Sequence, residues 1–352
     1  MRTRLLAAAI ALIASAYSVP AADGFTKGTV DAKSATALAF GPKGVLFIGD
    51  SAGAAIYALD TGDTKGASDK AVNFERIDQK LASLLGTTEK EVKINDVKVN
   101  PASGSVYLAI TRGTGQGQPA IVKIDRGGEL TAVSLKDVGM SKIAIPNPVS
   151  GKAASTSITS MAFLNDKLLV AGLSSEQFAS TLRTFDFPFK EADKGAAIEI
   201  YHGAHGAVET RAPIRSFVPY KIGGEDTVIA TYQCTPLVKI PVSELKAGSK
   251  VIGKTVAELG NRNMPLDMIV YAKGGKDYIL VANSARGVMK IAADQLASAE
   301  SISTRIPETA GVKYDTIAEL KGVMQLDKLD AGHAILLVTN GTGFDLKTIE
   351  LP

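Results

Sequence analysis

An internal repeat constrains this chain more than any other feature. Six times, at intervals of about 50 to 60 residues, a short continuous apolar run recurs: Val45-Leu46-Phe47-Ile48, Val106-Tyr107-Leu108-Ala109, Leu168-Leu169-Val170-Ala171, Val228-Ile229-Ala230-Thr231, Tyr278-Ile279-Leu280-Val281 and Ile335-Leu336-Leu337-Val338. Turn formers precede these runs, as in Gly41-Pro42-Lys43-Gly44, Asn165-Asp166-Lys167 and Lys273-Gly274-Gly275-Lys276. Their Gly, Pro and Asn supply the backbone geometry of a tight reversal. A further strand follows each run, at 55–59, 120–124, 182–185, 237–240, 287–291 and 345–349.

Units one to five continue into a fourth, more polar strand, such as Phe74-Glu75-Arg76-Ile77, Leu130-Thr131-Ala132-Val133 and Ala197-Ile198-Glu199-Ile200. The sixth unit ends before it can do so. Phe25 to Val30 is the expected donor of that missing strand, pairing with Leu346 to Ile349. The expected fold is therefore all-β, a six-bladed β-propeller closed by an N-terminal strand joining the last blade, because closure hides sheet edges. Short helices are expected at Asp78 to Leu85 and Asp294 to Ala299. A two-sheet sandwich fits the four-strand units less well.

The N-terminus reads as a leader. Arg2 and Arg4 precede an apolar stretch from Leu5 to Ala16, and small residues follow around Val19, Ala21 and Ala22, the order of a secretory signal peptide. The expectation is a peptide at 1–21, a single propeller domain at 22–352 and a periplasmic or secreted location. The apolar stretch is shorter than the roughly 20 residues of a membrane span. Without Arg2 and Arg4 the formal charge falls from +3 to +1, and the basic residues are interspersed with acidic ones. Nucleic acid is thus not an expected partner. The single cysteine, Cys234, excludes an internal disulfide.

The blade rhythm resembles the broad group of six-bladed propellers that includes gluconolactonase-like, strictosidine-synthase-like and NHL-repeat proteins. The resemblance covers almost the whole mature chain and lies in the pattern alone. The lactonase branch holds a divalent cation with acidic and amide residues near the channel. By resemblance, Asn95, Asp96 and Asp267 are the candidate ligands here, calcium being one candidate ion, and a metal-dependent hydrolase or lactonase is an alternative function. Other first-strand regions present Ser160, Arg215 and Lys321 instead.

In a four-stranded blade, the loop between second and third strands emerges on the same side as the crossing to the next blade. That side gathers His202, His205, Cys234 and Met264, side chains suited to copper or zinc in a metal-handling or redox protein. A Cys/His nucleophilic pair can also be drawn from Cys234 and either histidine. The same side carries Arg112, Arg211, Arg262 and Arg286 with Asn283, and Arg215 projects toward the channel. Guanidinium forks recognise carboxylate or phosphate. A binding or interaction protein is the first functional expectation, its ligand a small anion or an extracytoplasmic protein partner. The long segment from Gly139 to Ser157 lacks periodicity and is expected to be a loop.

Overall fold

The computed structural model describes residues 24–352 apart from 67, 235 and 261; the expected leader at 1–21 lies outside the described residues. The chain is all-β and propeller-like. Its strands form six antiparallel units, each led by an inner strand: Ala37–Phe40, Val92–Val99, Ser160–Leu164, Ser216–Ile222, Pro265–Lys273 and Val323–Lys328. A middle strand pairs with each, and all six apolar runs fall within these middle strands, Val45–Asp50, Val106–Arg112, Lys167–Leu173, Glu225–Thr231, Lys276–Asn283 and His333–Thr339. A third strand follows in every unit. The runs are continuous rather than alternating because both faces of each sheet are covered: Leu46, Phe47 and Ile48 are all buried. Fully burying such a side chain stabilises by about 1.5–3 kcal/mol.

Local chemistry sets the hairpins. Two-residue turns at Asn165-Asp166, Gly223-Gly224 and Gly274-Gly275 join inner to middle strands with all six residues at positive φ, the turn geometry that matches strand twist. Of the two short helices, Ile77–Leu85 buries Ile77, Leu81 and Leu85, and Gln295–Ser298 buries Leu296.

Packing follows a cyclic order that differs from sequence order. One apolar core joins Leu46 and Tyr57 of unit one to Tyr107 and Ile121 of unit two. The next joins Val97 and Leu108 of unit two to Ile335 and Leu346 of unit six. Further cores join units six and five, five and four, and four and three. The last brings Phe47 and Ile56 of unit one against Met161 and Phe185 of unit three. Units one and two have thus exchanged places in the ring.

This exchange corrects the expected closure. Thr26–Gly28 does not reach the last unit; it pairs with Val138 to Met140 at the outer edge of unit one. The outer position of unit six is taken by the crossing from unit one to unit two. Phe74 and Leu346 exchange both backbone hydrogen bonds, and the Thr348 hydroxyl bonds the backbone of Val72. The physical reason is neighbourhood: a chain leaving unit one for a position beside unit six must run along unit six. Phe74 to Ile77 is consequently not the fourth strand of unit one. That strand is Val138–Ala144, supplied by the return crossing from unit two to unit three. The first part of the segment expected as a loop is therefore a paired strand.

Candidate functional site

His202 closes the outer strand Ala196–His202 of unit three, and the chain then reverses over Gly203 to Gly206 into the short strand Ala207–Glu209. Gly206, at φ 66°, donates its N–H to the His202 carbonyl at 2.8 Å and completes the reversal. The register pairs Ile200 with Glu209 and His202 with Ala207, so His202 and Glu209 are diagonal neighbours on one face. His205 lies in the turn above them. Glu209 Oε1 bonds His202 Nδ1 at 3.0 Å and His205 Nδ1 at 2.5 Å, and the imidazole centroids are 3.9 Å apart. One ligand atom from each of the three residues lies within 4.8 Å of the others.

Electrostatics favour a charged Glu209. The hydrogen bond from His202, opposed by burial and joined by that from His205, holds its carboxyl below the usual range. Below the hairpin, Glu258 Oε1 accepts the Gly203 N–H at 2.6 Å, and a Cβ at Gly203 would stand 3.0 Å from the Glu258 side chain. Burial pushes the Glu258 carboxyl up. Two buried polar atoms at the hairpin have no partner among the described residues: His202 Nε2 and Glu258 Oε2. Folded proteins contain few such atoms, and a local pair calls for an explanation such as water or an ion.

Cys234 does not join this group among the described residues. Cys234 sits in a turn at φ 60°, part-exposed, and its N–H donates to the Asn263 carbonyl. The Met264 N–H donates to Ser284 Oγ. Glu209, absent from the expected set, completes it. Its signal was the four-residue spacing from His205 across a hairpin too short to show strand alternation.

The channel lies where inner strands converge. Asp96 and Asp267, 8% and 7% exposed, face it as expected, but they converge on Lys98. Its Nζ is 3.4 Å from Asp96 and 3.1 Å from Asp267, so an ammonium occupies the place of a shared cation. Both carboxylates also accept strand N–H groups: Asp96 from Leu38 and Val97, Asp267 from Met268 and Leu326. Asp327 does likewise with Val99 and Lys328. These aspartates stitch neighbouring units together. Burial, partly offset by Lys98, pushes the Asp96 carboxyl up to about 6. Lys98 is held charged although burial opposes it, because Asp267, Asp96 and Asp327 together outweigh that effect. The Asn95 amide bonds Ala35 O and Thr111 Oγ1.

The arginines are dispersed. Arg215 lines the channel with Asp96 and Asp267, and burial lowers its pKa. Arg112 donates to Leu85 O in unit two, while Arg211 and Arg262 are exposed. Arg286 lines a separate cavity between units five and six. Asn283 also borders that cavity, but its Oδ1 accepts the N–H groups of Ala285 and Arg286 and its amide donates to Asn263, so it shapes the turn. Ser160 lines the channel and Lys321 the Arg286 cavity.

No family model matches this chain, and no curated protein matches it. Solved structures similar to it include an oxidoreductase (glucose dehydrogenase) from Thermus thermophilus, at 12% identity and a TM-score of 0.37, covering 93% of this chain and 100% of that one. Hydrazine synthase of Kuenenia stuttgartiensis matches at 13% identity and a TM-score of 0.39, over 93% of this chain and 98% of its own. The PQQ-bound aldose sugar dehydrogenase of Streptomyces coelicolor matches at 12% identity and a TM-score of 0.32, over 94% and 100%.

Proposed function

We propose that this protein is an exported binding protein, built as a six-bladed propeller with two blades exchanged, that takes up a zinc or copper ion through His202, His205 and Glu209. The observation that carries this reading is the convergence of their three ligand atoms within 4.8 Å. Two imidazoles and a carboxylate suit either ion, and three protein ligands leave a coordination position open. The burial is graded: the His202 side chain is 2% exposed and the His205 side chain 53%. One ligand anchors the ion and another faces solvent, an arrangement that favours exchange with a donor or acceptor over permanent structural ligation. Ion uptake would replace the two imidazole–carboxylate hydrogen bonds and release protons.

Metal analysis of protein purified without a histidine tag, with zinc and copper titrations, tests the reading. Wild type and Cys234→Ala should bind one ion each, whereas His205→Ala and Glu209→Gln should bind at least about tenfold more weakly, the order of loss when a supporting group is removed from a metal site. Weak, sub-stoichiometric binding unchanged by these substitutions would overturn it.

A further inference from the structure

The hairpin makes no use of Arg286 or of the cavity it borders. That cavity, about 610 Å³ between units five and six, is lined by Leu266, Arg286, Tyr314, Leu320 and Lys321 among others, and no aspartate or glutamate is among its lining residues. Its size lies within the range of about 300–1,000 Å³ typical of small-molecule sites.

Arg286 is set into this wall without a counter-ion among the described residues. Its Nε is buried and bonds to nothing among them. Arg76 pairs with Asp78 and Glu89 and Arg126 with Asp330; Arg183 and Arg215 also keep an unpaired Nε, but neither lines this cavity. The backbone leaves space for the guanidinium. Gly260 lies against it at φ 105°, where a Cβ would overlap the guanidinium, so both the conformation and the close approach require glycine. Asn283 Oδ1 accepts the backbone N–H of Arg286 at 3.1 Å and so holds the turn from which the side chain leaves. A planar five-donor fork kept part-buried with an unpaired Nε is matched to an acceptor supplied by a ligand.

We infer that this cavity binds a small organic anion, its carboxylate held by Arg286 and its apolar body resting on Leu266, Leu320 and Tyr314. Lys321, exposed beside the cavity, adds long-range attraction for the anion. The site shares no residue with the metal hairpin, so each reading stands or falls alone.

The probe is 8-anilinonaphthalene-1-sulfonate, whose sulfonate stands in for the carboxylate, with benzoate and inorganic phosphate as competitors at constant ionic strength. Folded wild type should enhance its fluorescence, benzoate should displace it, and phosphate should not. Arg286→Gln should weaken binding about tenfold, as loss of a charge-assisted fork implies. Thr316→Trp should fill the cavity from another wall and abolish binding. Glu209→Gln and added chelator should change nothing. The inference is overturned if Thr316→Trp or a folded Arg286→Gln binds as wild type does, if phosphate competes as well as benzoate, or if wild type binds no probe. Should Arg286→Gln fail to fold, Thr316→Trp and the competition series decide.

Discussion

Replacing Lys98 with methionine isolates the electrostatics at the centre of the ring. The ammonium stands 3.1 Å from Asp267 and 3.4 Å from Asp96, both nearly buried. Methionine conserves most of the volume, so the loss is chiefly one of charge. Removing one partner from a buried ion pair costs about 3–5 kcal/mol. Here two carboxylates lose the same partner, and a third, Asp327, also loses its attraction to Lys98. The full cost is expected at pH 8, where the carboxylates are charged. The cost must also vary with pH. Burial raises the folded Asp96 pKa to about 6 from its ordinary 3.8, so the stability linked to this group is fully present below pH 3.8 and is lost as pH rises through 6. Lys98, whose folded pKa is raised above 10.5, contributes fully below 10.5 and loses its contribution only through its higher folded value. Without the ammonium, the Asp96 and Asp327 carboxyls hold their protons more tightly. The variant therefore suffers most at pH 8 and less at pH 5, where Asp96 is largely protonated. Urea unfolding followed by circular dichroism at both values measures the difference. We expect a deficit of about 3–5 kcal/mol at pH 8, and one smaller by at least ~1 kcal/mol at pH 5, the scale of one pKa unit. A deficit below ~1 kcal/mol at pH 8, or one equal at both pH values, would refute the reasoning.

Two further substitutions test the ring order. Phe74 and Leu346 exchange both backbone hydrogen bonds, which places their Cα atoms about 5.5 Å apart, a separation a disulfide spans. Phe74→Cys with Leu346→Cys, in a Cys234→Ala background, should oxidise quantitatively and without loss of fold; free thiols in the folded protein would refute closure of unit six by the first crossing. Phe25 is buried and meets Phe187 edge-on at 5.7 Å. Phe25→Ala should destabilise by about 3 kcal/mol in urea unfolding, through the core between units one and three, and a change under ~1 kcal/mol would remove that anchoring role.

The middle strands were legible in the sequence because sandwiched sheets need unbroken apolar runs, and the His202 and His205 pair because histidine is so rare in this chain. Ring order was not legible. The crossing that completes unit six is bridged at one residue, Phe74, and otherwise held by side-chain–backbone bonds, such as those between the Val72 backbone and the Thr348 hydroxyl and between Thr348 N–H and Asn73. Nothing in such a polar segment distinguishes a crossing that runs along a neighbour from a surface loop. Glu209 escaped notice for a related reason: three residues, Ala207 to Glu209, carry no periodicity, and only the hairpin register brings the carboxylate under the imidazoles. Asp96 and Asp267 line the channel, and spacing could not show that Lys98 stands between them.

The exchange of units one and two changes how the ring is sealed. A propeller closed by its N-terminal strand depends on a terminal segment, where fraying begins. In this chain the outer edge of unit six is covered by an internal crossing whose two ends are anchored in units one and two. The Asp345 carboxylate accepts the Arg76 N–H, and Asp78 accepts the N–H of Phe344, so the start of helix Ile77–Leu85 is tied to the same strand. The terminal strand Thr26–Gly28 is left to cover unit one, where Val138–Ala144 already completes the sheet. Losing it would expose one edge and leave the contacts between units two and six intact. Sealing unit six instead requires residues near 74 and 346 to meet, a long-range closure that carries a loop-closure entropy cost.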